Sequence, residues 1–203
     1  MANNADRDFV VIVTGLPRSG TSLLMQMLCA GGLPVLTDGV RKADEDNPYG
    51  FYELEAVKRT KSDASWLSGA TGRVVKMVYR LLYDLPPNRH YRVVFVRRRM
   101  EEILASQRTM LLRQGKETGA DDKTMMRVFR KELAKVQVWL RAQPNFSVLD
   151  VDYNQLVAGP GGNVAEINDF LGGGLDLDAM AAVVDPTQYR NRIATAYAAR
   201  GSV

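Results

Sequence analysis

The chain has 203 residues, 46% hydrophobic and 25% charged with both signs mixed, the proportions of an ordinary globular protein rather than a disordered or fibrous one. Its net charge of +4 conceals an uneven distribution: residues 73–141 hold 17 Lys and Arg against 7 Asp and Glu, while residues 142–189 hold 7 acids and no base. No apolar run is long enough to span a bilayer and the one cysteine cannot form an intrachain staple, so the fold must rest on a packed core, which a domain of this size builds by burying roughly 70% of its unfolded surface.

The first residues, Met-Ala-Asn-Asn-Ala-Asp-Arg-Asp, are polar and lead into a short apolar run, without the basic start and apolar middle of a secretory signal. A cytoplasmic location is expected. Apolar runs rich in β-branched residues recur at 9–14, 33–36, 73–78, 91–96 and 146–151, each followed by a helix-compatible stretch. That alternation predicts one α/β domain over 1–203, a three-layer sandwich with a central parallel sheet of P-loop type. The runs at 9–14, 92–96 and 147–151 are nearly continuous in apolar residues, as expected of strands buried on both faces. Met125, Phe129, Leu133, Val136 and Leu140 recur every three or four residues and predict a helix over about 121–141 with a core stripe, leaving Lys123, Arg130, Lys131 and Lys135 on a solvated face. Pro86-Pro87-Asn88, Gly159-Pro160-Gly161-Gly162 and Gly172-Gly173-Gly174 read as loops. Cys29 lies in an apolar helical stretch, where a buried thiol acts as a small hydrophobe.

The first run passes through Thr14-Gly15-Leu16-Pro17-Arg18-Ser19-Gly20-Thr21-Ser22 into an apolar helix. Glycine-permitted turns there aim backbone N–H groups and a helix N-terminus at one point, which suits phosphate or sulfate. Gly15 and Gly20 have P-loop spacing, but Thr21 stands where the P-loop lysine belongs. In nucleoside triphosphatases a second strand also ends in an aspartate that helps hold magnesium. Here the run at 91–96 ends in Arg97-Arg98-Arg99, which repels a divalent metal and attracts an anion. The sequence therefore predicts a cradle for a polyanion that requires no metal.

Gly-Leu-Pro-Arg-Ser-Gly-Thr-Ser followed by a helix resembles the 5′-phosphosulfate-binding loop of sulfotransferases that use 3′-phosphoadenosine 5′-phosphosulfate (PAPS). In that family an arginine at a strand end and a serine eight residues on hold the donor's 3′-phosphate, and Arg98 and Ser106 match that spacing. An arginine fork and a hydroxyl give a dianionic phosphate directional, charge-assisted hydrogen bonds. The segment Val148-Leu149-Asp150-Val151-Asp152-Tyr153-Asn154-Gln155-Leu156 resembles the family's strand and Tyr-Glu-Asp-Leu stretch, which implies that Tyr153 lies near the adenine. Arg190 and Arg192 are candidates for a further cationic contact. The resemblance implies that Gly15, Pro17, Arg18, Ser19, Gly20, Thr21 and Ser22 bind the donor, that Arg18 stabilises the leaving phosphate, and that Lys76 assists.

One departure concerns the catalytic base. Sulfotransferases of small phenols and steroids carry Lys-Thr-His, whereas the comparable strand end here reads Lys76-Met77-Val78. The chain's one histidine, His90, precedes the strand that carries Arg98 and is expected at the opposite end of the sheet. A carboxylate can replace it. Asp38 and Glu53 are the candidates, flanking a stretch from 41 to 52 that reads as a loop over the site, with Asp44, Glu45 and Asp46 followed by Tyr49, Phe51 and Tyr52. The expected acceptor is a small molecule, glycan or peptide, with no nucleic acid or membrane partner. Two other readings remain open: a P-loop kinase of a small substrate, and a nucleotide-binding module without catalysis.

Overall fold

A computed structural model describes residues 7–44, 47, 50–117, 119–185 and 187. Strand β1, Phe9–Gly15, reads FVVIVTG and is buried throughout. Such a strand needs partners on both edges and cover on both faces. It is flanked by β2 (Val74–Lys76) and β3 (His90–Arg97), and β4 (Phe146–Asp152) pairs with β3, giving an all-parallel sheet ordered β2-β1-β3-β4. Successive residues of β1 alternate between faces. Val11 and Val13 meet α1 (Thr21–Ala30), α5 (Gly161–Phe170) and α6 (Leu177–Ala182) through Leu24, Met27, Leu28, Ile167 and Met180. Val10 and Ile12 face the other layer, built from α2 (Met100–Arg113), α3 (Asp122–Arg141) and 3₁₀ turns at Glu55–Arg59, Ser65–Gly69 and Tyr79–Asp84. The predicted three-layer sandwich is the architecture observed.

The predicted helix over 121–141 forms as α3, with Asp121 accepting the Thr124 N–H as its N-cap and Val136 and Leu140 buried. Three expectations need correction. Residues 33–36 do not form a full strand: Val35 alone is bridged to Val74, and Pro34, which has no N–H, contributes only its carbonyl to the Val74 N–H. β4, the edge strand of the described sheet, is not buried on both faces; Val148 remains 38% exposed. Cys29 is exposed rather than buried, since the packed stripe of α1 is Leu24, Met25, Met27 and Leu28.

Two arginines close the N-terminal edge of the sheet. Arg7 donates to the carbonyls of Leu171 (3.0 Å) and Gly173 (2.7 Å), and Arg92 donates to that of Phe170, so two guanidinium groups meet the negative end of α5. At the opposite edge lies the topological switch: from β1 the chain passes through α1 to β2 on one side, then crosses to β3 on the other. Open α/β sheets form their ligand crevice at such a point, outside the C-terminal ends of the strands. Among the described residues no helix is long and apolar enough to cross a membrane.

The sandwich makes a contrast that denaturant melts can check. Leu24→Ala, at a position with 0% exposure, is expected to cost about 3 kcal/mol. Val148→Thr on the open face of β4 is expected to stay within about 0.5 kcal/mol.

Candidate active site

β1 ends at Gly15 because a side chain there has no room: a Cβ would lie 2.5 Å from Ser19 Oγ and 2.8 Å from the Val96 carbonyl. The chain then turns, Ser19 N–H bonding to the Leu16 carbonyl (3.0 Å), with Arg18 (φ 72°) and Gly20 (φ 104°) both left-handed. Gly20 is required twice, by its φ and by the Tyr153 ring, which a Cβ would meet at 2.2 Å. Helix α1 starts at Thr21 with no side-chain cap and no acid in its first turn, so its N–H groups and positive dipole end open on the crevice. Ser19 lies beneath this loop, fully buried, its Oγ without a partner.

One positive pole of the crevice is built on β3 and α2. Arg98 donates from Nε to the Glu102 carboxylate (3.0 Å) and from Nη1 to the Arg18 carbonyl (3.1 Å), and its guanidinium lies 4.5 Å above the Tyr153 ring. Glu102 is fully buried; it also accepts from Asn154 Nδ2 (3.0 Å) and lies 3.9 Å from Arg99. Ser106, one turn further along α2, accepts from Arg18 Nε (2.9 Å). The predicted pair Arg98 and Ser106 therefore sits beside the cradle, bracketing Arg18. Arg97 points away and pairs with Asp150 on β4 (2.6 Å).

The second pole is Lys76, the last residue of β2. Its Nζ donates to Ser22 Oγ (3.0 Å) and to the Phe51 carbonyl (2.8 Å), with Glu53 Oε1 at 3.9 Å. Burial lowers its pKa to about 8, opposed by Glu53 and reinforced by Arg41 and Arg18. A lysine thus reaches the cradle from the neighbouring strand, although Thr21 occupies the position a P-loop lysine would fill. Glu53 follows Tyr52, a second non-glycine residue in the left-handed region (φ 53°). Its carboxylate pairs with Arg41 (2.9 Å), whose guanidinium stacks 3.3 Å over the Phe51 ring.

Both poles open into one cleft of about 740 Å³, lined among others by Gly15, Pro17, Arg18, Gly20, Thr21, Ser22, Glu53, Lys76, Arg98, Ser106 and Tyr153. That volume suits a nucleotide-sized ligand with room beyond it. Asp38 is not among the lining residues; its carboxylate accepts the N–H groups of Glu55 (2.6 Å) and Val40 (3.0 Å), which hold its pKa down and fasten the start of the 55–59 turn. Arg190 and Arg192 lie outside the described residues, as do Glu45, Asp46 and Tyr49. His90 opens β3 at the far end of the sheet, exposed, as expected. Among the described residues no three His, Cys, Asp or Glu gather to hold a metal ion.

Sequence reasoning missed Glu102, Asn154 and Arg41. Glu102 carried a signal, its i+4 spacing from Arg98 across a helix start. Arg41 and Asn154 carried none, because each finds its partner through the fold.

No protein-family model matches the chain, and no curated sequence matches it significantly. Solved structures do. The sulfotransferase domain from the Synechococcus PCC 7002 olefin synthase superposes with a TM-score of 0.56 at 15% identity, covering 97% of this chain and 93% of that one. Sulfotransferase STF1 from Mycobacterium tuberculosis H37Rv gives 0.54 at 19% identity, over 89% of this chain and 72% of that one. The sulfotransferase domain from the curacin biosynthetic pathway gives 0.55 at 14%, over 91% and 92%. The chain has the fold of these bacterial sulfotransferase domains.

Proposed function

We propose that the chain is a sulfotransferase that moves a sulfuryl group from PAPS to an acceptor hydroxyl or amine, releasing adenosine 3′,5′-bisphosphate (PAP). The observation that carries this reading is the pairing of two positive poles across one helix-start cradle: Arg98 with Ser106 on one side, Lys76 with Ser22 on the other. A donor with a phosphate at each end of its ribose calls for two such poles. The 3′-phosphate is assigned to Arg98, Arg18 and Ser106, the 5′-phosphosulfate to the N–H groups of 19–22 with Lys76, and the adenine to the neighbourhood of Tyr153.

Sulfuryl transfer proceeds in line through a loose transition state, so the protein mainly positions the partners and neutralises charge. Glu53 takes the acceptor proton, the acceptor oxygen bonds to sulfur, and the bond from sulfur to the bridging oxygen breaks. The electron pair leaves on the 5′-phosphate, where Lys76 and the helix start stabilise it. Glu53 is preferred to Asp38 because its carboxylate faces the cleft beside Lys76. A P-loop kinase is disfavoured by Arg97 to Arg99 at the C-terminal end of β3, where an aspartate would help hold magnesium.

Calorimetry with PAP in the absence of magnesium is expected to give micromolar or tighter binding, and no heat of binding would refute the assignment. Ser106→Ala, which leaves the Arg98–Glu102 pair in place, should weaken PAP about tenfold, and Arg98→Ala on the order of 30-fold or more. Melting curves run alongside separate that loss from the cost of leaving Glu102 buried with one partner fewer.

Lys76 sets a pH dependence. A bound anion favours its ammonium, whereas the free protein loses that proton as pH rises through about 8. PAP binding near that pH is therefore expected to take up a proton and to weaken on going more alkaline. Titrations in buffers of different ionisation enthalpy read the uptake; Lys76→Met should abolish it.

Turnover distinguishes the two carboxylates. Glu53→Gln is expected to lower kcat at least 100-fold with PAP affinity kept within a few-fold, and Asp38→Asn to change thermal stability more than kcat. Full activity in Glu53→Gln would remove it as the base.

A further inference from the structure

The cleft extends past the two poles, and what lines it there speaks to the acceptor. The backbones that bring in Glu53 and Lys76 run directly into apolar residues: Leu54 and Val57 after the first, Met77 and Leu81 after the second. Helix α2 closes the third side with Met110. Val57 and Met77 belong to the buried core and Leu54 and Leu81 pack against it, so this wall is the exposed skin of the hydrophobic layer. Of the hydrogen-bonding side chains that share this lining, Asn47 donates back to the Gly50 carbonyl, Thr109 to the Ala105 carbonyl, and Arg41 covers the face of Phe51, while Gln26 and Gln114 stand elsewhere along the cleft. The apolar stretch of Leu54, Val57, Met77, Leu81 and Met110 suits a hydrocarbon better than a ring of sugar hydroxyls.

The charge around that wall is one-sided. Among the described residues, seven cationic ones line the cleft, Arg18, Arg41, Lys58, Lys76, Arg98, Arg113 and Lys116, against two carboxylates, Glu53 and Asp185. The donor accounts for Arg18, Lys76 and Arg98, and Glu53 for Arg41. Lys58, beside Glu55 on the 55–59 turn, and Arg113 and Lys116, at the end of α2, stand at the rim of the apolar part. Ser106, Met110 and Arg113 follow one another on a single stripe of α2, so that helix presents a phosphate-binding hydroxyl, an apolar side chain and a cation in order over about 10 Å.

We propose, resting on the sulfotransferase reading, that the acceptor is an aliphatic alcohol bearing an anionic group. Its hydroxyl meets Glu53 beside Lys76, its hydrocarbon lies on Leu54, Met77, Leu81 and Met110, and its anion reaches Arg113 and Lys116. Glycans and polar peptides are disfavoured because Leu54, Met77, Leu81 and Met110 give polar groups laid against them nothing to bond.

The test uses the full chain with PAPS and four probes: ω-hydroxydecanoate, decanol, a disaccharide and a tyrosine peptide. Transfer to hydroxydecanoate is expected with kcat/KM at least about tenfold above decanol, and KM across shorter hydroxyalkanoates should rise about fourfold for each CH₂ removed. The double variant Arg113→Gln/Lys116→Gln should bring the hydroxydecanoate-to-decanol ratio toward one. With PAP saturating, hydroxydecanoate should also raise the melting temperature while the disaccharide does not, a readout independent of turnover. Preference for the disaccharide or peptide, or PAP binding with no transfer to either aliphatic probe, overturns the acceptor assignment and leaves the sulfotransferase reading standing. Absence of PAP binding overturns both.

Discussion

Glu102 holds a carboxylate that water does not reach, and the Arg98 side of the cleft is arranged around it. Arg98 from the end of β3, Asn154 from the start of α4 (Tyr153–Ala158) and, at longer range, Arg99 all converge on this one side chain. A buried ion pair of this kind adds little net stability, because removing both charges from water costs about what their attraction returns. Its effect is geometric. With its Nε held by Glu102 and its face held by Tyr153, Arg98 has few ways to turn, and the cradle loop is tied to it through the Arg18 carbonyl.

From that anchor the contacts run in sequence through the site. Tyr153 stacks under Arg98 and presses on Gly20, so the turn before α1 admits no Cβ. Arg18 then bonds to Ser106 on α2, closing a ring of contacts from β3 through the loop to the helix. Lys76 approaches from the opposite strand and is held by Ser22 and the Phe51 carbonyl. A preorganised positive site of this sort orders its hydrogen-bond donors before any anion arrives. The buried Lys76 shows the cost, since desolvation makes its ammonium easier to lose.

The side of the cleft that carries Glu53 obeys a different constraint. The described residues between 37 and 54 form no named strand, and they are tied by the Asp38 N–H to the Glu53 carbonyl (3.3 Å) and by side chains: Thr37 donates to the Glu53 carbonyl (2.8 Å), Asp38 receives the Glu55 N–H, and Arg41 pairs with Glu53. Asp38 therefore does for this loop what an N-cap does for a helix. Glu53 faces the cleft because Asp38 and Arg41 fix the segment on either side of it.

The sequence by itself determined the layers and the helix-start cradle, because both are local. Alternating apolar runs dictate a covered parallel sheet, a glycine pair ahead of a helix dictates an anion turn, and Arg98 and Ser106 are eight residues apart wherever the chain goes. Tertiary structure alone decided the rest. It reduced residues 33–36 to a single bridge, left β4 at an open edge, and turned Cys29 outward, since helix phase and strand neighbours depend on elements distant in the chain. It also separated two carboxylates that the sequence could not distinguish, fastening Asp38 to backbone N–H groups and setting Glu53 beside Lys76. No local pattern encodes that choice. It depends on the distance between side chains 23 positions apart, and packing sets that distance.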